Sequence, residues 1–299
     1  MNRFLAVVAG GLSLWIVPGI AQAPKPEAAK TITVWTGARR PDGQPDVQGF
    51  WVTVVYGMGC LSNPRSGPGC VDEFPDRGPR PKAPSRVIDT PDGEVPYQPW
   101  AREKQKYLFA NFAEPTRPEF IDPQQLCLPL GAVRQITWHD IHLLQYDGYV
   151  VFVHEGGHSY RVIPLDGRPH ASANIKLWMG DSRGHWEGNT LIVDVTNNNS
   201  KGRLSRSGDF ASDKVHHIER FTFLDANRAR YEAIFDDPSV YTRPWTFGLD
   251  LKRGVFDEGA LTSGDAGYEH WEEACHEGLK DVDSSLRSGV AASGNPEKK

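Results

Sequence analysis

Methionine is scarce in this 299-residue chain, at three residues against 30 glycines and 23 prolines. That balance argues against a helical bundle and for many turns between short strands. Neither sign of charge is in large excess: 33 Lys and Arg face 38 Asp and Glu, a formal net charge of −5. The chain therefore carries no basic footprint for nucleic acid or for an acidic membrane surface. Internal repeats are lacking, and so is any long apolar run after residue 20 that could span a bilayer. Cysteine is limited to Cys60, Cys70, Cys127 and Cys275, whose spacings match no CxxC metal or redox pattern.

What is present starts at the N-terminus. One positive charge, Arg3, precedes an apolar run over residues 4–20 that Gly10, Gly11, Pro18 and Gly19 interrupt. This is the pattern of a cleaved secretory signal rather than a membrane span, with the cut after Ala21 or Ala23. The signal peptide is assigned to residues 1–21, and processing leaves the mature protein periplasmic or secreted, with no membrane attachment. In that oxidising setting an even cysteine count reads as two disulfides, and three pairings are open. The favoured set is Cys60–Cys70, closing a Gly/Pro-rich loop, with Cys127–Cys275, tying the entry of the main domain to its C-terminal segment.

Residues 22–122 read as a Pro- and Gly-rich extension holding one strand, over 46–55, and one helix, over 99–113. From residue 134 onwards the pattern becomes short β-rich runs separated by turn signals. The runs cover 135–146, 149–154, 159–165, 185–187, 190–196, 214–224, 229–235 and 245–251, with Asp147-Gly148 and Gly188-Asn189 as hairpin turns. Serial hairpins predict a mainly β fold, an antiparallel meander closed into a barrel over 123–286, because closure removes exposed strand edges. A short C-terminal helix over 268–286 and a disordered tail over 287–299 complete the expected organisation.

Several motifs then carry a resemblance. Arg40-Pro41-Asp42-Gly43-Gln44-Pro45-Asp46 leads into Gly49-Phe50-Trp51, and Cys127-Leu128-Pro129 follows. A strand next runs from Arg161 into an Asp166-Gly167-Arg168-Pro169-His170 turn. The most specific block is Gly180-Asp181-Ser182-Arg183-Gly184-His185-Trp186-Glu187-Gly188-Asn189-Thr190-Leu191-Ile192-Val193-Asp194. Together with His216, Glu219-Arg220-Phe221, Tyr241 and Ala274-Cys275-His276-Glu277-Gly278, these resemble a large family of uncharacterised exported bacterial proteins. The loop with Cys60 and Cys70 is an addition to that pattern. The Gly49-Phe50-Trp51 strand start is also similar to lipocalin and calycin barrels, in which the Trp packs under the barrel floor. That resemblance implies a lipocalin-like interior able to hold one small ligand.

Two catalytic-looking strings have plainer explanations. His154-Glu155-Gly156-Gly157-His158 matches the zinc-peptidase HExxH, but its flanks read as strands and two adjacent glycines oppose the helix that the motif requires. A hairpin turn is expected there instead. Gly180-Asp181-Ser182-Arg183-Gly184 matches a nucleophile elbow, yet a hairpin rather than a helix follows, so Ser182 is assigned to a turn. The remaining chemistry is histidine on strands, where alternate residues face inward. The candidate site is His158 or His216 with Arg161, Asp194, Glu219 and Tyr241 as partners: acid–base chemistry with no nucleophile, no cofactor and no metal. The expected activity is lyase, hydratase or isomerase chemistry on a small hydroxylated or aromatic molecule. The alternatives are a non-catalytic carrier of such a molecule and, third, metal-dependent hydrolysis through the histidines.

Overall fold

Among the described residues, alternating apolar and polar side chains build nine strands. These are β1 (Gly49–Thr53), β2 (Ile141–Tyr146), β3 (Tyr149–His154), β4 (Ser159–Pro164), β5 (Asp181–Glu187), β6 (Thr190–Thr196), β7 (His216–Asp225), β8 (Arg228–Asp236) and β9 (Trp245–Arg253). The computed structural model describes residues 35–54, 60–62, 84–112, 115–137, 140–155, 159–206 and 208–254. The signal segment, Cys70, His158, Cys275, the expected C-terminal helix and the tail lie outside the described residues. Neither described cysteine, Cys60 or Cys127, is a free thiol, and both expected pairings involve a residue outside that set.

The strand order is β4-β3-β2-β1-β9-β8-β7-β6-β5, and every neighbouring pair is antiparallel. The sheet curls into a nearly closed barrel, mainly β as expected and consistent with a calycin-like fold. β1, which the sequence places in the extension, is inserted between β2 and β9. Two expected hairpin turns form at glycine: Gly148 at φ 81° between β2 and β3, and Gly188 at φ 62° between β5 and β6. Both angles are left-handed, which a side chain resists and glycine accepts.

The core lies inside the barrel. On β7 the residues His217, Glu219, Phe221 and Phe223 are buried while their neighbours are partly exposed. Tyr231 and Phe235 of β8 and Trp245, Phe247 and Leu251 of β9 are also buried. Phe221 meets Phe152 at 5.0 Å and Tyr231 at 4.7 Å between ring centroids, so aromatic rings span the lumen. Each such ring contributes roughly 1.5–3 kcal/mol by leaving water. Trp51 is 1% exposed; its indole N–H donates to the Val47 carbonyl at 2.9 Å, and the Arg253 guanidinium covers its face at 4.8 Å.

The two ends of the strand order, β4 and β5, meet through side chains. Arg161 Nε donates to Ser182 Oγ at 2.9 Å across this seam. One step along, a Cβ on Gly184 would lie 2.7 Å from Ile163 Cγ2 and 2.9 Å from Leu165 Cδ2. Only glycine lets the strands approach this closely. From Asp181 onwards the Gly-x-Ser-x-Gly string is therefore strand and not an elbow, and Ser182 sits in β5 rather than in the expected turn, because Ser182 and Gly184 alternate inward.

Helix α1 (Pro99–Asn111) forms within the predicted 99–113 and buries Ala101 and Leu108. The predicted strand over 135–146 is corrected at its start: Gln135 ends a helical turn α2 (Ala132–Gln135), and β2 runs from Ile141. Tertiary contacts decide this. Arg134 is 1% exposed and forms a two-bond ion pair with Asp122, Nη1 to Oδ2 at 2.9 Å and Nη2 to Oδ1 at 3.1 Å. Thr137 Oγ1 then donates to the Arg134 carbonyl at 2.8 Å, closing the turn. Such contacts outweigh a local β preference.

Candidate functional site

The first two residues of β7 divide the polar groups into an inner and an outer set, because successive side chains on a strand face opposite ways. His217 points into the barrel and His216 points out. Each gathers its own partners.

Inside, Arg161 of β4 and Glu219 of β7 form a buried ion pair, at 3% and 0% side-chain exposure. Tyr231 of β8 donates its hydroxyl to Glu219 Oε1 at 2.7 Å, and Ser182 of β5 takes the Arg161 Nε–H. Burial pushes the Glu219 carboxyl up, but Arg161, His217 and the Tyr231 hydroxyl together hold it below its usual value. Burial, and then the Glu219 charge, push the Tyr231 phenol well above 10. His217 stacks on Phe235 at 5.2 Å and 27° and is 3% exposed. Burial lowers its pKa to about 4; Glu219 pulls the other way and Arg161 reinforces the fall.

Outside, His216 Nε2 lies 2.9 Å from Asp194 Oδ1, and His170 Nε2 lies 3.2 Å from the same oxygen. The other nitrogen of His170 meets Asp181 Oδ2 at 3.0 Å, an oxygen that also accepts the Ala171 N–H at 2.8 Å. Arg183 Nη1 holds Asp181 Oδ1 at 2.7 Å. The register explains the cluster. Arg183 faces Asp194 across β5 and β6, while the 165–180 loop returns over these strand ends and delivers His170. His216 and Asp194 are each more than two-fifths exposed, so this set is open to solvent.

The predicted residues thus fall into two places. Arg161 and Glu219 meet inside, and His216 and Asp194 meet outside. Tyr241 joins neither: it is buried beside Trp245, with its hydroxyl donating to the Phe210 carbonyl at 2.8 Å. His158 lies outside the described residues. His154 of the HEGGH string ends β3 directly opposite Ser159 of β4 in antiparallel pairing, and residues 156–158 between them lie outside the described residues. His170, His217, Asp181 and Arg183 were not among the predicted site residues. The two phenylalanines Phe221 and Phe223 carried the signal for His217, since they fix the inward parity of β7.

Among the described residues, one hollow adjoins the inner set and another lies away from both sets. One, of about 40 Å³, opens at the barrel end between α2, the loop after β6 and the start of β7. Its wall includes Arg134, Trp178, Asn198, Arg203, His217 and Phe235. The other, of about 280 Å³, lies beside Arg230 and Asp250 on β8 and β9, which pair with each other at 2.9 Å. Neither borders His216, and both fall short of the roughly 300 Å³ of an ordinary small-molecule pocket. Among the described residues, no group of three or more His, Cys, Asp or Glu is arranged to hold a metal ion. In comparisons with known proteins, no family model, no curated protein and no solved structure matches the chain.

Proposed function

We propose that the protein is an exported enzyme that moves a proton on a small hydroxylated or aromatic molecule, by lyase, hydratase or isomerase chemistry, without a cofactor. The observation that carries this reading is the His216–Asp194–His170 constellation, an acid–base set that is both oriented and open to solvent. With Nε2–H donated to Asp194, the lone pair of His216 Nδ1 is left to accept a proton, and the carboxylate then compensates the imidazolium. Asp181, itself held by Arg183, orients His170, whose Nε2 meets the same Asp194 oxygen as His216. In this reading Arg161, Glu219 and Tyr241 support the fold, because Arg161 is bonded to Glu219 and Ser182, Glu219 also to Tyr231, and Tyr241 to the Phe210 carbonyl.

The test uses solvent deuterium. Incubating the mature protein in D₂O with a panel of small hydroxylated and aromatic compounds, followed by NMR, should reveal enzyme-dependent C–H exchange or conversion. His216→Ala and Asp194→Asn are expected to lower that rate by about 10²–10⁴-fold, the range for loss of a general acid–base group. Binding with neither exchange nor conversion would favour the carrier, and an unchanged rate in both variants would refute the site. Export belongs to the same proposal, and with it the Cys127–Cys275 bond, which closes a long loop worth about 4–5 kcal/mol in the chain-entropy model. Non-reducing peptide mapping of the exported protein should recover those two cysteines in one linked fragment; either one found as a free thiol ends that pairing.

A further inference from the structure

The small cavity at the barrel end has three residues in its wall, His217, Arg134 and Asn198, that carry unpaired buried polar atoms. His217 and Arg134 are 3% and 1% exposed. Both His217 ring nitrogens, the Arg134 Nε and the Asn198 Nδ2 are buried without a hydrogen-bond partner. Proteins seldom leave one such group unpaired, and four such atoms on three residues that line one cavity call for a shared partner. The chemistry of that partner follows from the donor balance. Arg134 Nε and Asn198 Nδ2 only donate, and a neutral His217 donates from one nitrogen and accepts at the other.

Charge points the same way. None of the residues lining the cavity is acidic, whereas Arg134 and Arg203 both contribute to its wall. Asp122 pairs with Arg134 from behind, and Arg203 is held on the backbone carbonyls of Glu119 and Phe120. Two cations against one carboxylate leave the cavity positive. A volume of about 40 Å³ holds about three waters at most, or one compact group of acceptor oxygens.

We infer that this cavity is a binding site for an oxyanion, either a free inorganic one or the carboxylate of a larger organic ligand, held by His217, Asn198, Arg134 and Arg203. The site is separate from the outer His216–Asp194 pair and stands whether or not that pair moves protons. In it His217 on β7 and Asn198 after β6 read the acceptor oxygens, while the two arginines supply the charge.

Isothermal titration of the mature protein in chloride buffer with acetate and, separately, with phosphate tests the site. Saturable binding at one equivalent is expected for at least one of them. His217→Phe preserves the ring stack on Phe235 but removes both nitrogens; Asn198→Asp places a negative charge in the wall. Each should weaken binding at least about tenfold, the effect of one lost contact of ~1.4 kcal/mol. Tighter binding of acetate identifies an organic carboxylate as the ligand chemistry, and tighter binding of phosphate identifies an inorganic oxyanion. Affinity unchanged in a folded Asn198→Asp protein overturns the site, as does a lack of saturation by either anion up to about 50 mM, weaker than any specific contact set would give.

Discussion

Glu219→Ala should lower the unfolding free energy by about 3–5 kcal/mol, because it leaves the Arg161 charge in the barrel interior with no counter-charge. Arg161 has 3% side-chain exposure and Ser182 as its other partner, so the guanidinium cannot reach water without opening the β4–β5 seam. Tyr231 would lose its acceptor as well. Urea denaturation of the variant against the wild type measures this. The contrasting experiment is the double replacement Arg161→Met with Glu219→Leu, which removes both charges and fills similar volume. It is expected to recover most of the loss, short of about 1 kcal/mol for the stranded Tyr231 hydroxyl. A Glu219→Ala protein within 1 kcal/mol of wild type would mean that the pair is not a closed ion pair in solution. Retained turnover in the double variant would place the pair outside the chemistry, as the proposed function requires.

The barrel was legible because its strands obey a period of two and its turns carry the residues that left-handed angles demand. Gly148 and Gly188 are the clear cases. The helical turn at α2 was not legible, since its cause is Asp122 gripping Arg134 from outside the segment. The split of the predicted site residues has a local explanation that the sequence did contain. Phe221 and Phe223 must face the core, so His217 and Glu219 at the same parity face it too, and His216 cannot. Val193 and Val195 likewise turn Asp194 outwards. His170 had no such signal. It sits in a turn, and its two carboxylate partners lie 11 and 24 residues further along the chain, so only the return of the loop over β5 and β6 brings them together. The buried pairing of Arg161 with Glu219, rather than Glu219 with its neighbour Arg220, follows from the same parity once the barrel closes.

His217 makes stability depend on pH in a window that few other groups share. Its folded pKa is about 4 against an ordinary 6.5, so between those values the unfolded chain binds a proton that the folded chain does not. Stability therefore rises with pH through this window and is fully present above about 6.5. As the pH falls from 6.5 to 4 the contribution is lost, to the extent of about 3 kcal/mol at 1.36 kcal/mol per unit. Glu219, held below its usual value by Arg161, adds a loss at still lower pH, whereas Asp209, raised by burial, works against it. The charged neighbours that act on His217 are Glu219, Arg161, His216 and Asp194. Comparing wild type with His217→Phe at each pH separates the histidine from the carboxylates. The stability difference between the two proteins should change by about 3 kcal/mol between pH 6.5 and 4 and stay flat above 7. Parallel pH profiles would show that the imidazole is protonated or solvated in the folded protein. The same measurement bears on the barrel-end cavity. A bound oxyanion gives the imidazolium a counter-charge, so saturating phosphate should shrink the acid loss in wild type. In His217→Phe, phosphate acts through the remaining site residues or as an excluded salt, and neither stabilisation follows a histidine titration.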